Sequence, residues 1–429
     1  MTAQRFKYDS LSYPDSIRLL RLAPSQDLSA PLKGSLLQVT LSDCYNDIKN
    51  PFTALSYVWG DPKPRGSIDL DGCLMGITES LDRALRDLRD ETQLLRVWAD
   101  ALCINQLDIP ERNNQVALMG NIYSTAHHTV IYLGTSTPEF EKLCRVLSPS
   151  LYDPALSRSH LVDEAKASLA ANEIEALRRD LLGRPWFRRV WVFQELVLSA
   201  DPWVQCGRQR TRWHQFSEII GADSIDKAML LYAAPAVYDK KPSELPSRPS
   251  TVAVGKRHGT FDVPLSSLLS LRRGVGATDP RDTIYGHLGV ASDSNIWSQH
   301  IKIDYNKTVT EVMVDAARYF LSVTNLGKLL DHAINPPPLS TTPTTPSFIP
   351  RWAAIQPTQE LLFRKRPGND APYVEFEGRH GILLPGHPVL CVSGFYNTRI
   401  DGISPVFPEH IAGLDIEGAR KTLETVGSQ

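Results

Sequence analysis

Three separated blocks in the first half of the chain constrain its fold most. They are Ala54-Leu-Ser-Tyr-Val-Trp-Gly60, Trp98-Ala-Asp-Ala-Leu-Cys-Ile-Asn-Gln106 and Arg184-Pro-Trp-Phe-Arg-Arg-Val-Trp-Val-Phe-Gln-Glu-Leu196. Each begins as an apolar run and closes on polar residues. Apolar runs fold inward, and polar groups carried in with them must find hydrogen-bond partners. Three such ends in one chain are expected to meet at a site.

The pattern around these blocks is that of an α/β fold. Thr53 to Val58 reads as a central strand that runs into a turn at Trp59-Gly60-Asp61-Pro62. Ile68 to Ile77 fits a hairpin about Asp71-Gly72. Leu81, Ala84, Leu85 and Leu88 fall at helical spacing, with Thr78 or Ser80 as cap. Leu94 to Leu102 reads as the next buried strand. Asp108-Ile-Pro-Glu111 is a capping-box pattern that opens a helix with Val116, Met119, Ile122, Tyr123 and Ala126 on its inner face. Thr129 to Leu133, ending at Gly134, is a third apolar strand. Alternating strands and helices imply crossovers and a parallel sheet covered by helices.

Ile17–Leu22 and Leu36–Leu41 read as an N-terminal β pair, so residues 1–49 form a first segment. The α/β core is expected over residues 50–207, with a helical insertion at about 135–182, an amphipathic helix from Trp186 to Ala200 and a short strand at Trp203–Cys206. Residues 208–334 read as a helical accessory region, with a loop at 234–257 and helical patterns at Leu265–Arg273, Arg281–Val290 and Thr308–Phe320. Six prolines between Asn335 and Pro350 mark a linker at 335–350, and residues 351–429 read as β-rich.

Bulk properties narrow the function classes. The 46 basic and 48 acidic residues leave a net charge of −2 with no basic stripe, which argues against nucleic-acid binding. The six cysteines are widely spaced with no CxxC pair, so no metal site or disulfide framework is expected. No apolar signal core or membrane-length run is present. The expectation is a soluble, cytoplasmic protein without a membrane span.

Together the three blocks resemble the fungal heterokaryon-incompatibility (HET) domain. The resemblance extends from Ile17-Arg-Leu-Leu20 through Asp100–Gly134 to Glu195, with a looser tail at Asp279-Pro-Arg-Asp-Thr-Ile-Tyr-Gly286. It implies a regulator of programmed cell death after non-self recognition. A second resemblance lies within it. The Trp-x-x-x-Glu-Leu arrangement of Trp191, Glu195 and Leu196 is similar to that of Toll/interleukin-1 receptor (TIR) domains, and Leu55-Ser-Tyr57 is similar to the TIR first strand. This implies a flavodoxin-like parallel sheet, a Glu195 that cleaves the nicotinamide–ribose bond of NAD as substrate, and self-association, with the helix near 111–126 as a candidate surface. The approximately 50-residue insertion before the glutamate and Val192 after Trp191 depart from the TIR pattern.

Glu195 therefore has two readings: a catalytic carboxylate open to a cleft, or a partner of Arg188 or Arg189 in a non-enzymatic adaptor that works by self-association. A separate sensor protein, or the region beyond residue 207, would supply the activating signal. The resemblance makes Ser56, Tyr57, Trp59, Gly60, Asp100, Gln106, Arg112, Trp191 and Gln194 candidates for substrate binding. Each also has a structural reading. Trp59 either stacks on a ring or packs in the core, and Gly60 serves the turn. Asp100 either meets substrate or caps a turn, and Gln106 either does so or satisfies loop carbonyls, which is also the reading favoured for Asn105. Arg112 holds a pyrophosphate at a helix start or pairs with Asp100, Asp108 or Glu111. Cys103 reads as a buried thiol, His127-His128 as surface residues at a helix end, and Asp279-Pro280 as a helix start whose Arg281 docks onto the first domain.

Overall fold

In the computed structural model the described residues are 6–45, 47, 49–147, 166–220, 263–324, 329, 332, 349–350, 352, 382–383 and 390–391. The chain divides into two units: Met1–Ser294 with Ile303–Asn306, and Asn295–Lys302 with Lys307–Gln429.

The first unit is built on one nine-stranded sheet. Its strands are β1 (Ser16–Leu22), β2 (Leu32–Thr40), β3 (Thr53–Ser56), β4 (Pro64–Leu70), β5 (Cys73–Thr78), β6 (Leu95–Trp98), β7 (His128–Gly134), β8 (Pro202–Cys206) and β9 (Gln209–Arg212), in the spatial order β5-β4-β2-β1-β6-β3-β7-β8-β9. The middle of the sheet, β6-β3-β7-β8, is parallel throughout. Every residue of β3 is buried, as are all but the end residues of β7. That is the near-continuous apolar pattern of strands covered on both faces.

The flanks differ from the expected parallel sheet. The N-terminal β pair is not a separate segment: β1 pairs antiparallel with β6 over Leu20–Leu22 and joins the sheet. The hairpin β4–β5 turns at Asp71-Gly72, both at positive φ, and is also recruited because β4 pairs in parallel with β2. β9 closes the other edge antiparallel to β8. The sheet is therefore mixed, with a parallel centre.

The helices follow local rules. Helix α1 (Glu79–Leu88) is capped by the Thr78 hydroxyl, which accepts from the Leu81 amide, and buries Leu81, Ala84, Leu85 and Leu88. The single turn α2 (Asp100–Cys103) begins where a strand running to Leu102 was expected. Asp100 accepts a hydrogen bond from the Ala101 amide at 2.8 Å, which satisfies a helix-start N–H and stops the strand at Trp98. Helix α3 (Ile109–Thr125) is capped by Asp108, and Val116, Met119, Ile122 and Tyr123 are buried. Its apolar face is consumed within the fold, so self-association through this helix would have to use its polar face.

Glu111 does not complete a capping box. It forms a two-pronged ion pair with Arg18 of β1, at 2.6 and 2.9 Å, and also accepts from the Asn105 amide at 2.7 Å. Arg18 donates further to the carbonyls of Asp9 and Cys103, so this buried pair ties β1, the loop after α2 and the start of α3 together.

Helices α4 (Pro138–Leu147) and α5 (Ala171–Leu182) occupy the described part of the expected insertion. The expected helix from Trp186 to Ala200 is broken. Pro185–Arg188 is one 3-10 turn, and only α6 (Val192–Val197) is α-helical. Between them the backbone is extended at Arg189 and bonds to Gly276: the Val190 amide donates to Gly276 O at 2.9 Å and the Gly276 amide to Arg188 O at 2.7 Å. A long-range backbone pairing has replaced intrahelical bonds here.

After β9 come α7 (Trp213–Ile220), α8 (Leu265–Leu271) and α9 (Asp282–Leu288). Asp279 does not cap α9. It accepts from the amide and guanidinium of Arg281, one turn earlier. The expected loop at 234–257 lies outside the described residues.

In the second unit, α10 (Val309–Val323) has a capping box between Thr308 and Glu311, and Lys307 and Arg318 pair with its Asp315. Phe320 packs against His332 and Trp352. The linker and the C-terminal region lie almost wholly outside the described residues. The described part of the latter includes a minimal β pair, Ile382–Leu383 with Leu390–Cys391.

The Arg18–Glu111 pair supplies a stability prediction. Glu111→Ala leaves the Arg18 charge buried and unpaired, at a cost of about 3–5 kcal/mol, whereas Asp108→Ala removes one cap for about 1 kcal/mol. Chemical denaturation of the two variants should show this separation.

Candidate functional site

The C-terminal ends of β3 and β6 face the segment 184–195, and there the three blocks meet. Ser56, the last residue of β3, accepts from the Trp186 indole N–H at 2.7 Å and donates a short hydrogen bond to Glu195. Arg189 lies 3.7 Å from the same carboxylate and donates to the Tyr57 carbonyl at 2.5 Å. Just past β6, Asp100 accepts from the Trp59 indole N–H at 2.8 Å. Gly60 ends this segment at φ +70°, a turn that a side chain would strain.

Ser56, Trp186 and Glu195 are all buried, but the Arg189 side chain keeps 20% of its exposure against 2% for Glu195. Trp59 and Asp100 are half-buried. The cluster thus has an inner carboxylate with a hydroxyl and an indole, and an outer guanidinium, carboxylate and indole.

Burial dominates the electrostatics. It pushes the Glu195 carboxyl above the usual carboxylate range, opposed by the Arg189 charge and the Ser56 hydrogen bond and reinforced by Asp100. Burial raises Asp100 in the same way against Arg189 and Trp59. For Arg189, burial favours loss of charge, but Glu195 and Asp100 outweigh it and the guanidinium binds its proton more tightly. The Tyr57 phenol is held well above its ordinary value by burial, then by Asp100. Shifted groups gathered at strand ends make this cluster the candidate site of the fold.

Other expected site residues fall elsewhere. Gln106 turns back to the Asp100 carbonyl at 3.0 Å, its structural reading. Gln194 points away from Glu195: a Cβ at Gly289 would stand 2.3 Å from its Oε1, and neither amide atom meets a hydrogen-bond partner among the described residues. Arg112 forms no ion pair with Asp100, Asp108 or Glu111. It stacks on Tyr305 with its guanidinium carbon 3.9 Å from the ring centre. Trp191, one turn before Glu195, does not share its partner and donates to Asp282 at 3.0 Å.

Cys103 is buried, its thiol pushed up to about 12 by burial. His128 begins β7 rather than decorating a helix end, and burial with the neighbouring His127 lowers it to about 4. Arg281 pairs with Asp279 at 2.6 Å and donates to the Tyr305 carbonyl.

Trp186, Asp282 and Tyr305 were missed as participants. Trp186 stood inside the third block, so its signal was available. Tyr305 sits in a stretch without a distinctive motif.

Residues 52–195, which span this cluster, match the family described as Heterokaryon incompatibility protein (HET). The chain is similar to a curated protein of Neurospora crassa, "Heterokaryon incompatibility protein 6, OR allele", with 27% identity covering 73% of this chain and 53% of that protein. The chain therefore spans about half the length of this relative. No solved structure matches. Among the described residues no helix is long and apolar enough to cross a membrane.

Two predictions follow from the charges. Glu195→Ala removes one of the two carboxylates, Glu195 and Asp100, that offset the Arg189 charge, leaves the Ser56 hydroxyl without its acceptor and lowers stability by about 3 kcal/mol, while Glu195→Gln keeps an acceptor for Ser56 and costs less, as denaturant titration will show. Asp282 is raised to about 6 by burial, against hydrogen bonds from Tyr305 and Trp191. A carboxyl raised in the folded state contributes stability that is full below its ordinary value near 3.8 and is lost as pH rises through about 6. The melting temperature of the wild type relative to Asp282→Asn should therefore fall between pH 4 and pH 7.

Proposed function

We propose that this chain is a regulator of programmed cell death of the heterokaryon-incompatibility type, and that its core is a TIR-like NAD hydrolase held closed by Arg189. The observation that carries this reading is the buried contact of Glu195 with Ser56 and Arg189 at the ends of the parallel strands. The centre of the sheet runs β6-β3-β7-β8, the second, first, third and fourth strands of the parallel set, which is the flavodoxin-like order. Loops after β3 and β7 leave such a sheet in opposite directions, and ligands sit in the crevice between them. Stability alone gives little reason to bury an acid, an arginine and a serine together, because apolar residues of the same volume hold a fold as well or better.

The chemistry suits one carboxylate. Nicotinamide departs as a neutral molecule from a cationic ring, so no general acid is needed. An ionised Glu195 would stabilise positive charge developing on the ribose, with Ser56 fixing its orientation, while a water forms the new bond to the anomeric carbon and releases its proton to solvent. Trp59, at the rim, offers an aromatic face to a ring of the dinucleotide, and Asp100 beside it offers an acceptor to a ribose hydroxyl. Arg189 must swing away first, since it neutralises the carboxylate the reaction needs.

A second reading has its own support. Glu195 is 1% exposed and paired with Arg189, as a non-enzymatic adaptor that signals by self-association would allow. In either reading, assembly and a sensor, whether separate or in the chain beyond residue 207, supply the trigger.

The deciding experiment is NAD consumption by purified protein at high concentration with a crowding agent. Wild type should release nicotinamide, Glu195→Gln should lose at least about a hundredfold, and Arg189→Ala should exceed wild type. NAD left intact by all three, with self-association preserved, would establish the adaptor.

A further inference from the structure

Outside the segment 52–195, a second polar cluster bears on Glu195 from behind. Asp282, the first residue of α9, is half-buried between two donors. The Trp191 indole N–H reaches its Oδ2 at 3.0 Å, and the Tyr305 hydroxyl reaches its Oδ1 at 2.6 Å. Both carboxylate oxygens are thereby engaged, one by each neighbour.

Trp191 is the residue immediately before α6, and its carbonyl accepts the amide of Glu195 at 3.2 Å. Holding the Trp191 ring therefore holds the first turn of the helix that carries Glu195. The surrounding packing leaves that ring little freedom. A Cβ on Gly286 of α9 would stand 3.0 Å from Val190 and 3.6 Å from the Trp191 ring, so only glycine admits α9 this close.

Tyr305 belongs to Ile303–Asn306, a short stretch of the first unit with chain of the second unit on either side of it in sequence. It is seated by several weak contacts. Its amide donates to Asn113 at 2.9 Å, and its ring lies under Arg112 and beside Arg281 and Tyr285. Asp304 is held by Asn113 and Tyr285. Tyr305 is buried, 8% exposed, so release of this stretch means drawing its ring from beneath Arg112 together with these single hydrogen bonds.

We propose that Asp282 is a positioning residue for Glu195, and that seating of Tyr305 on Asp282 keeps the Glu195 site closed. Withdrawal of 303–306 removes one donor from Asp282, frees the Trp191 ring, loosens the first turn of α6 and lets Arg189 and Glu195 separate. The consequence for catalysis rests on the hydrolase reading, but the coupling itself does not.

The test compares wild type, Asp282→Asn, Tyr305→Phe and the double variant. Tyr305→Phe keeps the ring under Arg112 and removes only the hydroxyl. Amide hydrogen exchange in residues 192–197 should quicken at least about tenfold in each single variant, as expected for loss of a hydrogen bond to a charged group. The double variant should be no faster than Asp282→Asn, because both changes cut the same link. Exchange in residues 130–133 of β7 should not change. The Trp191 indole N–H resonance should move upfield in Asp282→Asn as its carboxylate acceptor is lost. Unaltered exchange at 192–197, an equal rise at 130–133, additive effects in the double variant or an unmoved indole resonance would each overturn the proposal. NAD consumption is read on the same samples: a loosened α6 in protein that leaves NAD intact sinks the hydrolase reading and leaves the coupling standing.

Discussion

The contact between Glu195 and Arg189 is the interaction on which the arrangement of the first unit turns. A carboxylate that is 1% exposed is tolerable only if a charge and a hydrogen-bond donor meet it. Arg189 supplies the charge and Ser56 the donor, and these come from β3 and from the extended stretch before α6. Meeting that demand draws the segment 184–195 onto the ends of the parallel strands. The same demand explains the break in the expected helix. A continuous helix from Trp186 could not place Arg189 beside Glu195 while also bonding the backbone on either side of Arg189 to Gly276.

The pairing has a chemical consequence as well as a structural one. Burial raises Glu195, and Arg189 acts against it. The inner carboxylate is therefore masked by the outer guanidinium. Of the two partners Arg189 is the more exposed, its side chain keeping 20% against 2% for Glu195.

A second layer of control lies in how α6 is held. Its first turn is anchored through Trp191 to Asp282, and Asp282 is shared with Tyr305. Neither residue lies in the segment that carries the family match, yet both bear on its key glutamate. Asp282 and Tyr305, both of the first unit, are thus part of the surroundings of Trp191.

Much of this was legible in the residues alone, where the physics is local. Strand periodicity placed β3, β6 and β7. Helix spacing and caps placed α1 and α3, and the later helices α8, α9 and α10 fell close to their expected spans. The convergence of the three blocks followed from the cost of burying their polar ends, and Glu195, Ser56, Trp59 and Asp100 were singled out on that ground and by resemblance. What tertiary structure decided was everything that depends on a distant partner. Recruitment of β1, β2, β4 and β5 into one mixed sheet depends on edge pairing between strands remote in sequence. The placement of Gln194 against Gly289, of Arg112 on Tyr305 and of Glu111 on Arg18 depends on which neighbour packing brings to each side chain. Periodicity reports which face of an element is buried, but the partner of a buried polar group is set by packing between elements, and that exists only once the chain has folded.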